Sequence, residues 1–232
     1  MIDIHSHILF DVDDGSKSLE QSIKYLKEIK KIGMNKVVCT PHMKRKNVEK
    51  LNKIITNFKT LLPIAKQYGI DLYLANEVMC SSNIIELLKN RDVLTINGTK
   101  NVLVEFKRYE SMDEEQIYTI FEKIMDAGYS PILAHPELYI YYRNIDFVRK
   151  LKEKGVIIQI DSTSVLLNAP IEVYMFANKL LKNYLVDIVA SDSHCTKKRN
   201  FKSMAKAYKK IKRKYGEYAD IIFEENPKTL LK

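Results

Sequence analysis

The sequence predicts an α/β fold in which seven parallel strands alternate with helices and close into a barrel. Short apolar runs of strand length alternate along the chain with segments of helical period, and this alternation is typical of a parallel sheet. Six of the seven apolar runs are followed by a histidine or a carboxylate. A closed barrel gathers the carboxyl ends of all its strands around one site, whereas an open sheet brings only neighbouring ends together. We therefore expect a closed barrel.

The predicted elements follow one another without a linker, and 232 residues are enough for one domain. The strands are predicted at residues 1–7, 36–39, 71–75, 101–106, 131–134, 156–160 and 186–190. The longer helices are predicted within 18–33, 48–69, 111–128, 146–155, 170–184 and 200–215, with a short one around 84–88. They start near residues that cap helices, such as Ser18, or stop at glycines, such as Gly33. Because proline lacks a backbone N–H, Pro63 is expected to kink the second helix or to divide it.

The first strand carries a motif that suits a metal ion. In Asp3-Ile4-His5-Ser6-His7 polar and apolar residues alternate, and side chains two residues apart lie on the same face of a strand. His5 and His7 therefore point the same way. Two neutral imidazoles that converge on one point are good ligands for a divalent metal. Taken alone, the pair would also fit the polar end of an ordinary strand.

Further metal-binding residue types stand at the ends of the later strands. Every remaining histidine follows an apolar run, and three carboxylates occupy equivalent positions. These candidates are His42, Glu77, Glu105, His135, Asp192 and His194. The loop from Phe10 to Gly15 adds three more carboxylates. Since the carboxyl ends of the strands meet in a parallel barrel, we expect these side chains to converge.

The amino-acid composition limits which kinds of protein this chain can be and which partners it favours. Apolar content of 46% and charged content of 29% are ordinary for a globular protein, and no apolar run approaches the roughly 20 residues of a membrane helix. The net charge of +9 favours anionic partners. Cys39, Cys80 and Cys195 have no Cys-x-x-Cys spacing, which favours a cytoplasmic location. Because the chain starts directly in the first strand, no signal peptide is expected.

The motifs at the strand ends resemble those of the polymerase and histidinol phosphatase (PHP) superfamily. The closer similarity is to its bacterial protein-tyrosine phosphatases, which regulate capsular and exopolysaccharide synthesis. Residues 1–15 (MIDIHSHILFDVDDG) and 189–201 (VASDSHCTKKRNF) are similar to that subgroup almost residue by residue. The resemblance covers residues 1–232 and implies a distorted TIM-like (β/α)7 barrel of the PHP type, formed by a single domain.

The resemblance also implies three divalent metal ions, commonly manganese, with iron, zinc or magnesium as alternatives. Carried over by position, it assigns one ion to His5, His7, Glu77 and Asp192. It assigns a second ion to Glu77, Glu105 and His135, and a third to Asp14, His42 and His194. The sequence alone leaves the choice between Asp13 and Asp14 open. We assign Asp14 as the ligand, with Asp13 orienting a ligand through a hydrogen bond.

Two arginines are candidates for binding the phosphate. Arg199 matches an arginine of the subgroup pattern. The subgroup has another arginine directly after His-x-Glu, where this chain has Leu138, so the anion-binding set differs here. Arg143, five residues further on, is the candidate replacement. Arginine suits this role because its planar guanidinium makes two parallel hydrogen bonds to a phosphate.

A different phosphatase signature is present but incomplete. Cys39 and Arg45 have the Cys-x5-Arg spacing of enzymes that use a cysteine nucleophile. Such a loop surrounds the phosphate with backbone N–H groups and needs small residues. Pro41 lies within this loop and has no N–H. We therefore expect Cys39 to be a buried strand residue.

The resemblance implies that the chain hydrolyses phosphotyrosine esters with the help of metal ions. The expected substrate is a bacterial tyrosine kinase of polysaccharide export, and nucleic acid is not an expected partner. Three alternatives remain: hydrolysis of a small ester such as histidinol phosphate, action on nucleic-acid ends, and a non-catalytic module that docks to the kinase. Residues 197–214 hold ten basic residues in eighteen. This segment fits a helix with a solvated basic face, or a docking surface for an acidic phosphorylated tail.

Overall fold

The strands of the fold are short, and the first begins at the second residue. The structure is a computed structural model that describes residues 1–107, 111–194 and 199–232. Within these ranges the strands are β1 (Ile2–Ser6), β2 (Lys36–Cys39), β3 (His42–Met43), β4 (Asp71–Leu74), β5 (Glu77–Met79), β6 (Asn101–Glu105), β7 (Ser130–Ala134), β8 (Ile157–Asp161) and β9 (Ile188–Ala190).

The strands form two sheets in which every neighbouring pair is parallel. One sheet has the order β1-β2-β4, and the other has the order β3-β5-β6-β7-β8-β9. The chain therefore has an α/β fold with parallel sheets, as the sequence predicts. The strand count differs from the predicted seven, because two additional short strands, β3 and β5, follow the predicted second and third strands.

Two interruptions separate these additional strands from the preceding ones, directly before candidate ligands. Pro41 separates β2 from β3, and it has no N–H to donate to a neighbouring strand. Asn76 separates β4 from β5; its side chain donates to the carbonyl oxygen of Pro41 (3.0 Å) and accepts from the N–H of Leu94 (2.8 Å). As a result, β3 begins at His42 and β5 begins at Glu77.

Hydrogen bonds also join the ends of β1 and β9, which belong to different sheets. The N–H of His7 donates to the carbonyl oxygen of Ser193 (2.9 Å), and the N–H of Asp192 donates to the carbonyl oxygen of His5 (2.9 Å). Ser6 and Ser193 form an isolated parallel bridge. The first and last strands therefore lie side by side at their carboxyl ends.

The main helices of the described ranges lie between the strands and after β9. They are α1 (Leu19–Lys31), α2 (Val48–Gln67), α3 (Ile84–Lys89), α4 (Glu114–Asp126), α5 (Ile145–Glu153), α6 (Ile171–Lys182) and α7 (Lys202–Tyr215). Short 3-10 turns occupy Ile96–Gly98, Pro136–Leu138 and Ile140–Tyr142, and a C-terminal helical segment comprises Tyr218–Asp220, the π-helical Ile221–Glu225 and Asn226–Thr229. None of the described helices combines the length and the apolar character needed to cross a bilayer.

Helix α2 continues through Pro63, so of the two expected alternatives, a kink or a division, the division into two helices is wrong. The proline ring removes one backbone hydrogen bond from the helix. Ile54, Leu61 and Ala65 of the same helix are fully buried. Because most helical stability in proteins comes from packing of the apolar face, this burial outweighs the missing bond.

Apolar residues on the strands alternate between two buried clusters. Along β7, Leu133 belongs to the first cluster, whereas Ile132 and Ala134 belong to the second. Alternate residues of a strand face opposite sides of the sheet. The first cluster includes buried residues of α1, α2 and α4, so it packs the strands against the helices. The second cluster lies on the other side of the strands.

The last residues of the chain complete the second cluster. Leu230 and Leu231 are buried in it. The side-chain amide of Asn97 donates to the carbonyl oxygen of Leu231 (3.0 Å), and that of Asn101 donates to the carbonyl oxygen of Leu230 (3.1 Å). The carboxyl terminus is therefore held by both apolar packing and hydrogen bonds.

Most of the basic segment forms α7, whose apolar side is buried at Met204, Ala207 and Ile211. Lys202 lies 3.7 Å from Glu28, and Lys212 pairs with Asp220. This arrangement matches the simpler interpretation, a helix with a solvated basic face. The beginning of the segment, residues 197–198, lies outside the described residues, as does Cys195.

Candidate metal centre

The candidate ligands lie at the carboxyl ends of the strands. His5 is within β1, His42 and Glu77 begin β3 and β5, and Glu105 ends β6. His135 directly follows β7. The other four candidates stand in the segments that follow β1 and β9: His7, Asp14, Asp192 and His194.

Two of these residues have a strained backbone. His135 has φ 36° and Asp192 has φ 44°, both in the left-handed region that non-glycine residues rarely adopt. Such strain costs about 1–3 kcal/mol per residue and is concentrated at functional sites. At both positions it turns the chain sharply where a strand ends, and both side chains are buried.

The acidic loop after β1 folds back against His7. A Cβ atom added at Gly15 would lie 2.2 Å from the carbonyl oxygen of His7, so only glycine fits this approach. The N–H of Gly15 donates to Asp13 Oδ1 (2.9 Å). Asp13 Oδ2 lies 2.7 Å from His7 Nδ1, and it accepts from the N–H of His42 (3.1 Å).

The two neighbouring aspartates of this loop contact different histidines. Asp13 contacts the Nδ1 atom of His7 and fixes the orientation of the ring. Carboxylates commonly make this contact with histidines that bind a metal through their other nitrogen. Although burial raises the pKa of Asp13, its hydrogen bond and charge interaction with His7, the N–H of Gly15 and the charge of His42 together outweigh this and lower the pKa to about 2. Asp14 Oδ1 lies 3.3 Å from His42 Nε2 and 3.4 Å from His194 Nε2. The hydrogen bonds from His194 and His42 hold the pKa of Asp14 well below its usual range.

All nine candidate ligands fall into four overlapping groups. Within each group the nitrogen and oxygen atoms lie within 4.8 Å of one another. The groups are His7, Asp14, His42 and His194; His5, His135 and Asp192; His5, His7 and Glu77; and His42, Glu77 and Glu105. The structure therefore brings together every ligand named from the sequence. The grouping differs from the one implied by the resemblance, because His42 also meets Glu77 and Glu105, and His135 also meets His5 and Asp192.

Glu77 stands at the centre of the cluster and is fully buried. Its Oε2 atom lies 2.8 Å from His42 Nδ1 and 3.3 Å from the Nε2 atoms of both His5 and His7. Its Oε1 atom lies 2.8 Å from His135 Nε2. Burial raises the pKa of Glu77, but the surrounding imidazoles outweigh this and hold it well below its usual range.

The buried polar atoms fit divalent metal ions. Asp192 Oδ1 is buried without a hydrogen-bond donor among the described residues, although a buried carboxylate needs partners. It lies 3.4 Å from the Nε2 atoms of both His5 and His7, which are 3.3 Å apart. Burial lowers the pKa of His42, but the nearby carboxylates outweigh this and raise it to about 12. Imidazole nitrogens and carboxylate oxygens that converge with excess negative charge suit manganese, iron or zinc.

The residues behind the cluster include one that the sequence analysis missed. Gln159 Oε1 lies 2.9 Å from His5 Nδ1, and Gln159 Nε2 donates to Asp161 Oδ1 (3.2 Å). Gln159 is fully buried in β8, where it fixes the orientation of the His5 ring. The sequence contains a pattern that could have indicated this role, because the polar residues Gln159 and Asp161 alternate with the apolar residues Ile158 and Ile160 in this strand.

Comparison with known proteins identifies the family. A family model described as "Capsular polysaccharide synthesis, CpsB/CapC" matches residues 1–232. The chain belongs to the CpsB/CapC family. This confirms the subgroup indicated by the strand-end motifs.

Members of the CpsB/CapC family with assigned activities are similar over the full chain. The chain is 36% identical to the tyrosine-protein phosphatase CpsB of Streptococcus pneumoniae, over 100% of this chain and 98% of that protein. It is 30% identical to the tyrosine-protein phosphatase YwqE of Bacillus subtilis, over 100% of this chain and 92% of that protein. A crystal structure from work on YwqE and CpsB, "unique metal-dependent tyrosine phosphatases", matches with a TM-score of 0.84 at 28% identity, covering 100% and 94% of the two chains.

In this member of the CpsB/CapC family the cluster opens into a cavity of about 610 Å³. Several candidate ligands line it, together with four basic side chains: Lys44, Lys50, Lys107 and Arg199. Arg199 pairs with Asp192, and its Nη1 atom lies 3.4 Å from His194 Nε2. The three lysines were missed because they lie in loops and at a helix start, where a charged residue is unremarkable.

The two predicted arginines have different positions. Arg199 lines the cavity, whereas Arg143 follows the short helical turn Ile140–Tyr142 and is not among the lining residues. The structure therefore brings Arg199 to the cluster and does not bring Arg143 into this cavity. Leu138, at the position of the subgroup's other arginine, lines a second cavity that also includes Arg199.

Proposed function

We propose that this protein is a metal-dependent protein-tyrosine phosphatase that dephosphorylates a bacterial tyrosine kinase and so regulates capsular or exopolysaccharide synthesis. The observation that carries the proposal is the convergence of nine histidine, aspartate and glutamate side chains under a cavity lined by Arg199. Membership of the CpsB/CapC family supports the same activity.

We propose that the cluster holds three divalent ions, with manganese the first choice and iron, zinc and magnesium the alternatives. The residues that would hold them are His5, His7, Asp14, His42, Glu77, Glu105, His135, Asp192 and His194. When bound, such ions lower the pKa of a coordinated water and neutralise charge on phosphoryl oxygens. Asp13 and Gln159 would keep the His7 and His5 rings in a fixed orientation.

The protein's own residues account for binding of the ester. The Arg199 guanidinium, held in place by Asp192, would donate to the phosphate. Lys44 and Lys50 make the cavity mouth positive and attract a dianionic group. Met79 and Phe106 supply apolar wall against which the tyrosyl ring packs.

The reaction breaks the bond between phosphorus and the tyrosyl oxygen. Water supplies the oxygen of the released inorganic phosphate, and tyrosine is regenerated. Phenolate is a better leaving group than an alkoxide, so the reaction does not depend on a dedicated general acid. Positioning and charge stabilisation are then the main contributions of the site.

We further propose that the two sheets are parts of one distorted (β/α)7 barrel, and that residues 1–232 form a single PHP-type domain. Support comes from the hydrogen bonds between the ends of β1 and β9. The N–H of Ala75 also donates to the carbonyl oxygen of Cys39 (2.9 Å), and that of Glu77 donates to the carbonyl oxygen of Pro41 (3.3 Å). These bonds continue the β2–β4 pairing into the β3–β5 pairing, which belongs to the other sheet.

The proposed site of action is the cytoplasm. Cys39 is buried and Cys80 half-buried, and neither is in a disulfide, which is usual for proteins of a reducing compartment. Burial raises the pKa of the Cys39 thiol, and a thiol in this state is a poor nucleophile. This supports chemistry at the metal cluster over a cysteine mechanism.

The test is hydrolysis of a phosphotyrosine peptide after chelation and separate re-addition of Mn²⁺, Fe²⁺, Zn²⁺ and Mg²⁺. We expect activity to disappear on chelation and to return with at least one metal, while Cys39→Ser retains most of it. Histidinol phosphate and a 5′-phosphorylated oligonucleotide serve as competing substrates. Undiminished turnover in chelator, or faster turnover of either competitor, would show that the proposal is wrong.

A further inference from the structure

A second cavity adjoins the candidate metal centre. It has a volume of about 720 Å³ and shares the side chain of Arg199 with the first cavity. Its apolar wall is formed by Leu138, Ala169, Pro170 and Val173. The two cavities are therefore neighbours, on either side of one guanidinium.

The segments that border this second cavity expose an unusual amount of apolar surface. Leu167 is 86% exposed and precedes α6, while Ile171 and Met175 are 62% and 64% exposed on its first turns. Ile171 and Met175 are four residues apart, so they share one face of the helix, on the side opposite to Val173, which lines the cavity. Exposed apolar residues that gather in one region mark binding surfaces, whereas isolated ones carry no information.

The turn after β7 adds to the same region. Ile140 and Tyr141 are exposed there, two residues beyond Leu138. In the described part of the chain, the other large apolar residues with comparable exposure are Val48 and Tyr184. Five of the seven such residues therefore lie on the two segments that follow β7 and β8.

The chemistry of the second cavity does not fit another phosphate. The carboxyl group of Asp161 is part of its wall and is buried, and a buried carboxyl does not favour an anion beside it. Arg199 is the cation of the lining, and the proposed function assigns it to the phosphate of the first cavity. The remaining lining combines the neutral polar residues Thr163, Ser164 and Asn168 with the apolar residues named above, and the apolar part fits an aliphatic or aromatic side chain.

We propose that this cavity, together with the exposed Leu167 next to it in the chain, binds an apolar side chain of the substrate polypeptide within two residues of the phosphotyrosine. The inference rests on the proposed phosphatase function and adds a sequence preference to it. Because Arg199 lines both cavities, a phosphotyrosine bound to Arg199 brings the neighbouring residues of its polypeptide close to the second cavity. Neighbouring residues are 3.8 Å apart along the chain, so a side chain one or two positions away reaches it.

The experiment compares phosphotyrosine peptides that differ only in having leucine or alanine at the flanking positions. We expect kcat/KM to favour the leucine peptide by at least about tenfold, because a single methylene group in an apolar pocket already changes kcat/KM by about tenfold or more. Leu138→Ser, which removes part of the apolar lining, and Leu167→Ser should each bring this ratio closer to one. Ala169→Trp, which fills the cavity, should do the same. Tyr184→Ser removes an equally exposed side chain elsewhere and should retain the wild-type ratio.

The ratio separates the proposed pocket from general damage, because a partly misfolded variant loses activity on both peptides equally. Fluorescence anisotropy with peptides that carry a non-hydrolysable phosphonate should show the same leucine preference in Kd. Equal kcat/KM for the two peptides would overturn the inference and leave the phosphatase function standing. Turnover of p-nitrophenyl phosphate without turnover of any phosphotyrosine peptide would overturn both. Self-association that Leu167→Ser abolishes, with no leucine preference, would assign the surface to a second copy of the chain and overturn the inference.

Discussion

At the scale of single residues, the candidate metal centre depends on how Glu77 is surrounded. This carboxylate is fully buried, and four imidazoles contact it at 2.8–3.3 Å. Removing one partner from a buried charged network leaves the others without compensation, at a cost of about 3–5 kcal/mol. Each ligand therefore supports the orientation of the others, and their effects on metal binding are expected to be strongly non-additive.

His7→Ala and His42→Ala are expected to lower kcat by at least about a thousandfold, because charge stabilisation by the cluster supplies most of the rate. Both variants should also retain less metal after dialysis, measured by inductively coupled plasma mass spectrometry. Cys39→Ser is the matched control, since it removes a buried side chain near the same strand ends. A normal metal content with normal kcat in His42→Ala would contradict the assignment.

Arg199→Ala is expected to lower kcat/KM for a phosphotyrosine peptide by about a hundredfold, because a guanidinium that donates two bonds to a phosphoryl group contributes a few kcal/mol. Metal content should stay at the wild-type level. Arg143→Ala is the comparison, and its position outside the cavity predicts a loss of less than about threefold. Similar losses in the two variants would show that Arg143 takes part in anion binding after all.

At the scale of elements, the strand ends and the acidic loop determine which side chains meet. Three features bring ligands into position: the interruptions at Pro41 and Asn76, the strained backbone at His135 and Asp192, and the close approach of Gly15 to His7. Each lies directly beside a candidate ligand. The regular parts of the strands carry apolar side chains into the two clusters and supply the rigid support.

Gly15→Ala is expected to displace the loop that carries Asp13 and Asp14, because the new methyl group has no room beside the His7 carbonyl. We predict a loss of metal affinity of at least about tenfold, the usual effect of disturbing residues behind metal ligands, measured by titration with Mn²⁺. Gly216→Ala is the control, since Gly216 has φ 60° with no neighbouring atoms within 4 Å. It should lower only the free energy of unfolding, by about 1 kcal/mol. Equal metal affinity in the two variants would show that the approach at Gly15 does not position the ligands.

The sequence predicts the elements well where a local pattern decides them. The helix cap at Ser18, the apolar strands and eight of the nine candidate ligands follow from such patterns, whereas Asp14 is assigned from the family resemblance. The two additional strands β3 and β5 depend on contacts such as the hydrogen bonds of Asn76 with Pro41 and Leu94, which join residues that are distant in the chain. The continuity of α2 through Pro63 likewise depends on packing. The grouping of ligands around Glu77 is a property of the assembled strand ends and has no signal in the spacing.

At the scale of the whole molecule, the net charge of +9 is combined with lysines at the mouth of the metal cavity. Such a field attracts anionic substrates over distances up to about 10 Å at moderate salt. The basic face of α7, which the sequence suggests as a docking surface, has part of its charge paired within the fold. The lysines around the cavity are therefore the stronger candidates for electrostatic attraction.

We expect kcat/KM for an acidic phosphotyrosine peptide to fall severalfold between about 0.02 and 0.2 M ionic strength, because salt screens exposed charges. The fall should be smaller in Lys44→Ala combined with Lys50→Ala. Lys228→Ala, which removes an exposed lysine near the carboxyl terminus, should behave like the wild type. Stopped-flow or initial-rate kinetics at several salt concentrations provide the measurement. A salt-independent kcat/KM would remove the electrostatic contribution from the proposed function.

The burial of Leu230 and Leu231 in the second apolar cluster also bears on the order in which the fold is completed. These two residues share the cluster with side chains from β1, β2, β6, β7 and β9, most of which are far away in the sequence. Because contacts between distant segments carry a cost of loop closure before they stabilise the fold, we expect this packing to form late in folding. A label joined after residue 232 has to leave Leu230, Leu231 and their contacts with Asn97 and Asn101 undisturbed.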